Sequence, residues 1–311
     1  MIDAVVFGAV NVDIGGFPEG TFRMRDSNPG RVRVSVGGVG HNIARCCALL
    51  GLRTELAAPL GGDMAAQFVE NDCLMSGVGL RYARSFPEAA SSVYLFLGDG
   101  AGEMLSAVND MRIVERMTPE VLGELLPGME AMDAAIIEAN LPEEAILYLS
   151  ERLRAPIVAD TVSAAKAVRM KNALPRLSVL KLNALEAEAL TGSPVRCEGE
   201  AREAVRSLLK TGVRRVFLTL GADGVCCGGE DILYLPALPC RPVNTTGAGD
   251  AFTAALLWAG KRGMDLRGCA LAGQAAAAIA LESPETVSSD LSEAALIKRM
   301  ETSMGGNAKW I

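Results

Sequence analysis

The sequence predicts an α/β protein: a three-layer α/β/α core with a small β-sheet lid. Three observations carry this. Short runs of Val, Ile and Leu alternate with helical periodicity along most of the chain, the pattern of a mostly parallel sheet covered on both faces. Two stretches, 12–34 and 80–111, break that alternation with Gly, Pro and strand-like pieces. Finally, 311 residues of which 50% are hydrophobic and 22% charged suffice for a large core and exclude global disorder.

The elements follow in order. Residues 4–9, 55–58, 134–138, 157–160, 178–180 and 216–220 are short apolar runs, expected as buried strands. Helical spacing fills the intervals at 42–50, 64–75, 143–153, 184–190 and 200–209, and Gly51 suits the first helix as a C-cap. Residues 12–34 lack helical period. Strand-like pieces at 91–97 and 104–108 flank Gly98-Asp99-Gly100-Ala101-Gly102, a hairpin signal. A second hairpin is expected at 225–235 around Gly228-Gly229. Helices are expected at 250–258, 266–281 and 291–300, and a frayed tail at 304–311. The division is therefore a core of 1–11, 35–79 and 112–311, and a discontinuous lid of 12–34 and 80–111.

Composition narrows the function. Thirty Lys and Arg against 37 Asp and Glu leave a net charge of −7, a poor match to nucleic acid. His41 is the single histidine, which excludes a His-rich metal site and argues against a Ser-His-Asp triad. The eight cysteines form no C-x-x-C and are expected as free thiols in a reducing cytoplasm. No signal peptide is expected, and the apolar run at 275–281 is too short to span a bilayer.

The strongest motif is Asn244-Thr245-Thr246-Gly247-Ala248-Gly249-Asp250-Ala251-Phe252, a Gly-rich turn running into an Ala-rich helix. Convergent backbone N–H groups at a helix N-terminus make an anion hole suited to phosphoryl transfer. Asp250 either accepts a proton from an attacking hydroxyl or caps the helix. Gly37-Gly38-Val39-Gly40-His41-Asn42 either brings backbone close to a polar ligand or forms a tight turn; Ile43 rules out a dinucleotide fingerprint. Asn11-Val12-Asp13, after the first strand, either binds a sugar diol or forms a turn. Asn183 and Glu186, three apart at a helix start, either organise hydrated Mg²⁺ and phosphates or cap that helix. Thr219 and Gly221, at a strand end, either contact a nucleotide phosphate or turn the chain. No P-loop motif is present, and His41 reads as an ordinary helix position.

In this order, N-x-D, GG-x-G-x-N, N-x-x-E, T-x-G and T-T-G-A-G-D resemble the ribokinase-like (PfkB) carbohydrate kinases, from Phe7 to about Leu281. Within that family four segments are similar to the pseudouridine kinases. They are Asp26-Ser27-Asn28-Pro29-Gly30, Gly37-Gly38-Val39-Gly40 with Asn42, Ala107-Val108-Asn109-Asp110-Met111, and Asp160 with Val162-Ser163 and Lys166. The resemblance implies a ribokinase-like fold and transfer of the γ-phosphoryl of Mg·ATP to a nucleoside 5′-hydroxyl. It implies Asp250 as base and the N–H groups of Gly247, Ala248 and Gly249 as the anion hole. Asn11, Asp13, Gly37, Gly38, Asn42 and Glu138 would hold the sugar, and Ser27, Asn28, Asn109 and Lys166 would recognise base or product. Asn183, Thr219, Gly221, Gly224, Thr246 and Gln274 would bind ATP, and Asn183 and Glu186 would serve Mg²⁺. Asn244 stands where ribokinases carry an Asp that helps hold a monovalent cation, which puts K⁺ activation in question. His41 stands where those pseudouridine kinases carry Arg. A homodimer through lid strands is the family expectation, and Val93, Leu95 and Leu97 alternate in a way that permits it. The competing readings are another sugar or nucleoside kinase of this fold, such as a ribokinase or inosine/guanosine kinase, and a regulator that kept the fold without catalysis.

Overall fold

A computed structural model of the chain describes residues 2–99, 104–129 and 131–303. The strands are β1 (Ile2–Phe7), β2 (Asn11–Pro18), β3 (Gly30–Gly37), β4 (Thr54–Ala57), β5 (Pro59–Gly61), β6 (Arg84–Phe86) and β7 (Val93–Gly98), then β8 (Met104–Asp110), β9 (Met132–Glu138), β10 (Ile157–Asp160), β11 (Val179–Asn183), β12 (Arg215–Thr219), β13 (Val225–Gly228) and β14 (Ile232–Leu235). The helices are α1 (Val39–Leu49), α2 (Met64–Ser76), α3 (Pro119–Leu125), α4 (Glu143–Arg152) and α5 (Ala164–Ala167), then α6 (Ala184–Thr191), α7 (Glu198–Lys210), α8 (Ala248–Lys261), α9 (Leu266–Leu281) and α10 (Glu293–Ser303).

Eight strands make one sheet in the order β14-β13-β12-β11-β10-β9-β1-β4. Neighbours from β12 to β4 run parallel, and β12, β13 and β14 pair antiparallel. The sheet is apolar on both faces because both are covered. Ala4, Val6, Ile136, Val158 and Phe217 belong to one buried cluster with α1, α8 and α9. Val5, Phe7, Ile137, Leu180 and Leu218 belong to the other, with α4 and α7. Alternation by one residue thus sends successive side chains into opposite layers.

Helix ends follow the local chemistry. Asp63 opens α2 by accepting from the Ala66 N–H at 3.0 Å, and Gly77 closes it in the left-handed region. Asp265 opens α9 through the Gly268 N–H at 2.7 Å. The Ala-rich faces of α8 and α9 let them approach closely: a Cβ at Gly273 would stand 2.5 Å from the Phe252 ring.

A second, four-stranded sheet has the order β3-β2-β7-β8, in which β2 and β7 are parallel. Residues 80–92 do not join it. β6 pairs with β5 instead, and Tyr82 and Phe86 are buried in the second core cluster. The 225–235 hairpin extends the edge of the main sheet. The short helices α3 and α5 were not expected from periodicity. Residues 100–102 of the Gly-rich turn and the tail 304–311 lie outside the described residues.

Candidate active site

Six parallel strands end along one edge of the main sheet, where ligands of open α/β folds bind. Cross-strand register sets Glu138, Asp160 and Lys181 side by side on β9, β10 and β11, and Asn183 beside Thr219 on β11 and β12.

Asp250 lies in the first turn of α8, and it does not cap that helix. The N-cap is Gly247, with φ 83° and no side-chain cap. Only glycine suits this position, because a Cβ here would meet the Thr286 carbonyl oxygen at 1.8 Å. The Asp250 carboxylate is buried and accepts from Asn42 Nδ2 at 2.8 Å, which joins α8 to α1. Asn42 Oδ1 is buried without a partner. Burial, then the charge of Asp160, pushes Asp250 up to about 7, against the Asn42 hydrogen bond and Lys181. That places a carboxylate base where it can give up and regain a proton near neutral pH.

Behind this turn lies a network that sequence reasoning missed. Lys181 Nζ is 3.1 Å from Asp160 Oδ2, and both groups are buried. Thr253 Oγ1 donates to the same oxygen at 2.6 Å, which ties α8 to β10. A Cβ at Gly249 would lie 2.7 Å from Lys181 Nζ, so the ammonium sits close against Gly249. Burial works against the charged lysine. Asp160, Glu186 and Asp250 more than compensate and hold its pKa above the usual range. The helix start at Gly249 therefore has a fixed cation beside it. The pairing spans strands and leaves no local signal beyond an unexpected Lys in an apolar run.

Asp13 stands on β2, with one carboxylate oxygen 2.5 Å from Asn11 Nδ2. Gly37 leaves it room: a Cβ there would strike Asp13 Oδ2 at 2.2 Å. Gly38, at φ 95°, opens α1 against Asn11, so Asn11, Asp13, Gly37, Gly38 and Asn42 converge on one corner. Burial raises the Asp13 pKa, opposed by Asn11 and His41.

Glu138 is wholly buried. It accepts from the Ala9 N–H at 2.5 Å and from the Asn140 backbone and side-chain N–H at 2.7 and 2.6 Å. Burial pushes it up to about 7, against the N–H groups of Asn140 and Ala9. Lys166 Nζ donates to Asn140 Oδ1, so Lys166 reaches Glu138 through Asn140, a residue the sequence did not single out.

Asn183 and Glu186 form a complete capping box on α6. The Asn183 side chain accepts from the Glu186 N–H at 3.0 Å, and Glu186 Oε2 accepts from the Asn183 N–H at 2.8 Å. Glu186 Oε2 also accepts from Thr161 at 2.6 Å. A cavity of about 470 Å³ is lined by Asn183, Thr219, Gly221 and Tyr234 among others. Gly224, Thr246 and Gln274 do not line it. Gly224 closes the β12–β13 turn, accepting from the Leu220 N–H at 2.8 Å. The Thr246 N–H donates to Asn244 Oδ1 at 3.0 Å, and Gln274 Nε2 donates to the Leu235 carbonyl at 3.2 Å.

Of three expected recognition residues, Ser27 and Asn109 stay exposed and Asn28 is half-buried. Ser27 and Asn28 sit in the β2–β3 turn, where Asn28 Oδ1 accepts from the Arg23 N–H at 2.7 Å; Asn109 lies on β8. His41 is fully buried on α1, with Nε2 2.8 Å from Asp72 Oδ2 and Nδ1 without a partner. No helix among the described residues is long and apolar enough to cross a membrane.

The pfkB family carbohydrate kinase model matches residues 1–294. A pseudouridine kinase of Escherichia coli K12 is 33% identical over 301 residues, covering 96% of this chain and 96% of its own. A cytidine kinase of Thermococcus kodakarensis is 26% identical over 88% of this chain and 94% of its own. The solved structure of a carbohydrate kinase from Agrobacterium tumefaciens superposes with a TM-score of 0.87 at 31% identity, covering 96% of this chain and 97% of that one.

Proposed function

The chain belongs to the pfkB family of carbohydrate kinases and is a phosphotransferase with an alcohol acceptor; from that premise we propose that it phosphorylates the 5′-hydroxyl of pseudouridine with ATP. The observation that carries the chemistry is Asp250, buried against Asn42 in the first turn of α8 and flanked by the Gly247–Gly249 backbone. The pseudouridine kinase relative supports the choice of acceptor.

In this reading the 5′-oxygen attacks the γ-phosphorus. Its proton passes to the Asp250 carboxylate, and the bond between the γ-phosphorus and the bridging oxygen breaks, with its electron pair leaving on ADP. The N–H groups of Gly247, Ala248 and Gly249 receive the charge that develops on the transferred phosphoryl group. Asn11, Asp13, Gly37 and Gly38 hold the ribose diol, and the free Asn42 Oδ1 can accept from a substrate hydroxyl. Glu138, backed by Asn140 and Lys166, closes the sugar site. ATP occupies the cavity of about 470 Å³ through Asn183, Thr219 and Gly221.

The donor set fits Mg²⁺ held through water. Asn183 lines that cavity, and Glu186 offers one carboxylate whose oxygens are already engaged by the capping box and Thr161. When bound, the ion would neutralise charge on the nucleotide phosphates. The free cysteines, six of them buried, suit a reducing cytoplasm. Leu95 and Leu97 are exposed on one face of the second sheet together with Val32, Val34 and Val108, and we place a homodimer contact there.

The test is ADP release from Mg·ATP with pseudouridine, uridine, cytidine, inosine, adenosine and ribose as acceptors. Preference for pseudouridine is the expected result. Preference for another acceptor would keep the chemistry and overturn the substrate.

A further inference from the structure

The two faces of the second sheet carry different chemistry. Strand register assigns each residue to a face. Ile14, Val32, Val34, Leu95, Leu97 and Val108 share one face, which is mostly aliphatic, with Ser106 and Asp110 of β8 on the same side. The other face runs from Asn11 and Asp13 through Gly15 and Phe17 on β2, with Ser35, Arg33 and Arg31 of β3 opposite the last three. Tyr94 lies opposite Asp13, and Phe96 opposite Gly15. The chain has 8 Phe and 4 Tyr, and three of these rings stand together on this face. Phe96 makes an edge contact with Phe17 at 5.8 Å and a tilted contact with Tyr94 at 5.7 Å. Gly15 is what lets Phe96 lie across the sheet, since a Cβ at position 15 would meet the ring at 2.5 Å. All three rings are part-exposed.

Asp13 fixes where this face lies relative to the sugar. Gly15 and its Phe96 neighbour lie two residues further along β2, about 7 Å away, on the same side. A group attached to a ribose held at Asp13 is therefore within reach of the aromatic rings. Aliphatic side chains would stiffen a strand equally well, as the opposite face shows. Aromatic rings add a flat π-surface that matches a planar heterocycle.

Resting on the nucleoside-kinase reading, we propose that Phe96, braced by Phe17 and Tyr94 over Gly15, forms the platform on which the heteroaromatic base of the acceptor nucleoside stacks. The platform recognises the base as a ring. It distinguishes nucleosides from bare pentoses.

The test compares wild type, Phe96→Leu and Phe96→Tyr in steady-state turnover of pseudouridine, uridine and ribose, with the KM for Mg·ATP as an internal control. Phe96→Leu is expected to raise the KM for both nucleosides by about 5- to 150-fold, the range for losing one base stack. It should leave the KM for ATP, and for ribose where ribose is turned over, within about 2-fold. Phe96→Tyr should restore the nucleoside KM. Ultraviolet hypochromism of pseudouridine on binding without ATP should appear with wild type and Phe96→Tyr and vanish with Phe96→Leu. If wild type phosphorylates nucleosides and their KM ignores Phe96, this inference falls and the proposed function stands. Equal shifts for nucleoside and ATP would make Phe96 a structural residue and also overturn the platform. A wild type that turns over ribose and no nucleoside overturns both.

Discussion

The two sheets handle polar groups in opposite ways. At the ends of β9, β10 and β11 the main sheet buries two carboxylates and a lysine, and every one has a fixed partner. On the second sheet β8 is almost entirely exposed, and its Asp110 pairs with Arg112 in solvent. Buried charges with one arrangement make a preorganised site, and the fold opposes their movement. Exposed strands can shift at little cost. In the proposed function, bond making falls to the side of the rigid sheet and acceptor choice to the adjustable one.

The largest test of that division is Asp250→Asn. It should lower kcat by at least about 100-fold, the low end of general-base effects, with thermal stability retained; a near-normal kcat would remove Asp250 from the chemistry. Gly247→Ala comes next. Its φ of 83° and the Thr286 carbonyl leave no room for a methyl group. It should cost more than about 10-fold in kcat, short of the 10²–10³ seen when an oxyanion donor is lost outright, and also depress Tm.

Lys181→Met strands Asp160 in the core and should destabilise by about 3–5 kcal/mol in denaturant titrations. Adding Asp160→Asn should recover part of that loss, and failure to recover would break the picture of a coupled pair. The pH dependence sharpens the same contrast. Asp250 must be ionised to act, and its pKa stands near 7, so kcat/KM should fall as pH drops through about 7. The stability effect has the opposite sign. A carboxyl raised from 3.8 to about 7 favours the folded state below the lower value and loses that contribution as pH rises through the higher one. Asp250→Asn should therefore gain Tm relative to wild type at pH 8 and show no gain at pH 4. The smallest effects belong to the periphery. Asn183→Ala removes a capping box, about 1 kcal/mol, while Asn109→Ala on exposed β8 should stay within about 0.5 kcal/mol.

The buried parallel strands were legible because burial on both faces writes itself as a continuous apolar run, as at Val216-Phe217-Leu218. The helix starting at Leu266 was legible from its Ala-rich period and the Asp before it. Three-residue strands such as β5 and β6 carry too little pattern to see. Tyr82 and Phe86 were grouped with the lid because strand-like sequence follows them, yet large apolar rings take the nearest core available. In the site, the motifs identified glycines and acids whose roles are local. Their long-range partners were invisible: Lys181 for Asp160, Asp72 for His41 and Asn140 for Lys166. Asn183 and Glu186 show the limit from the other side, since the cap expected as the alternative is fully formed while Asn183 also lines the cavity.

The position of β1 between β4 and β9 has a consequence for synthesis. One side of the first strand can be paired once β4 emerges, but its other side waits for Met132–Glu138. At on the order of 5–20 residues per second, that edge stays open for roughly 6 to 26 s on the ribosome. An apolar strand with a bare edge is a template for pairing with other chains. The nascent chain is therefore most exposed to misassembly, and most in need of chaperone shielding, before its ninth strand appears.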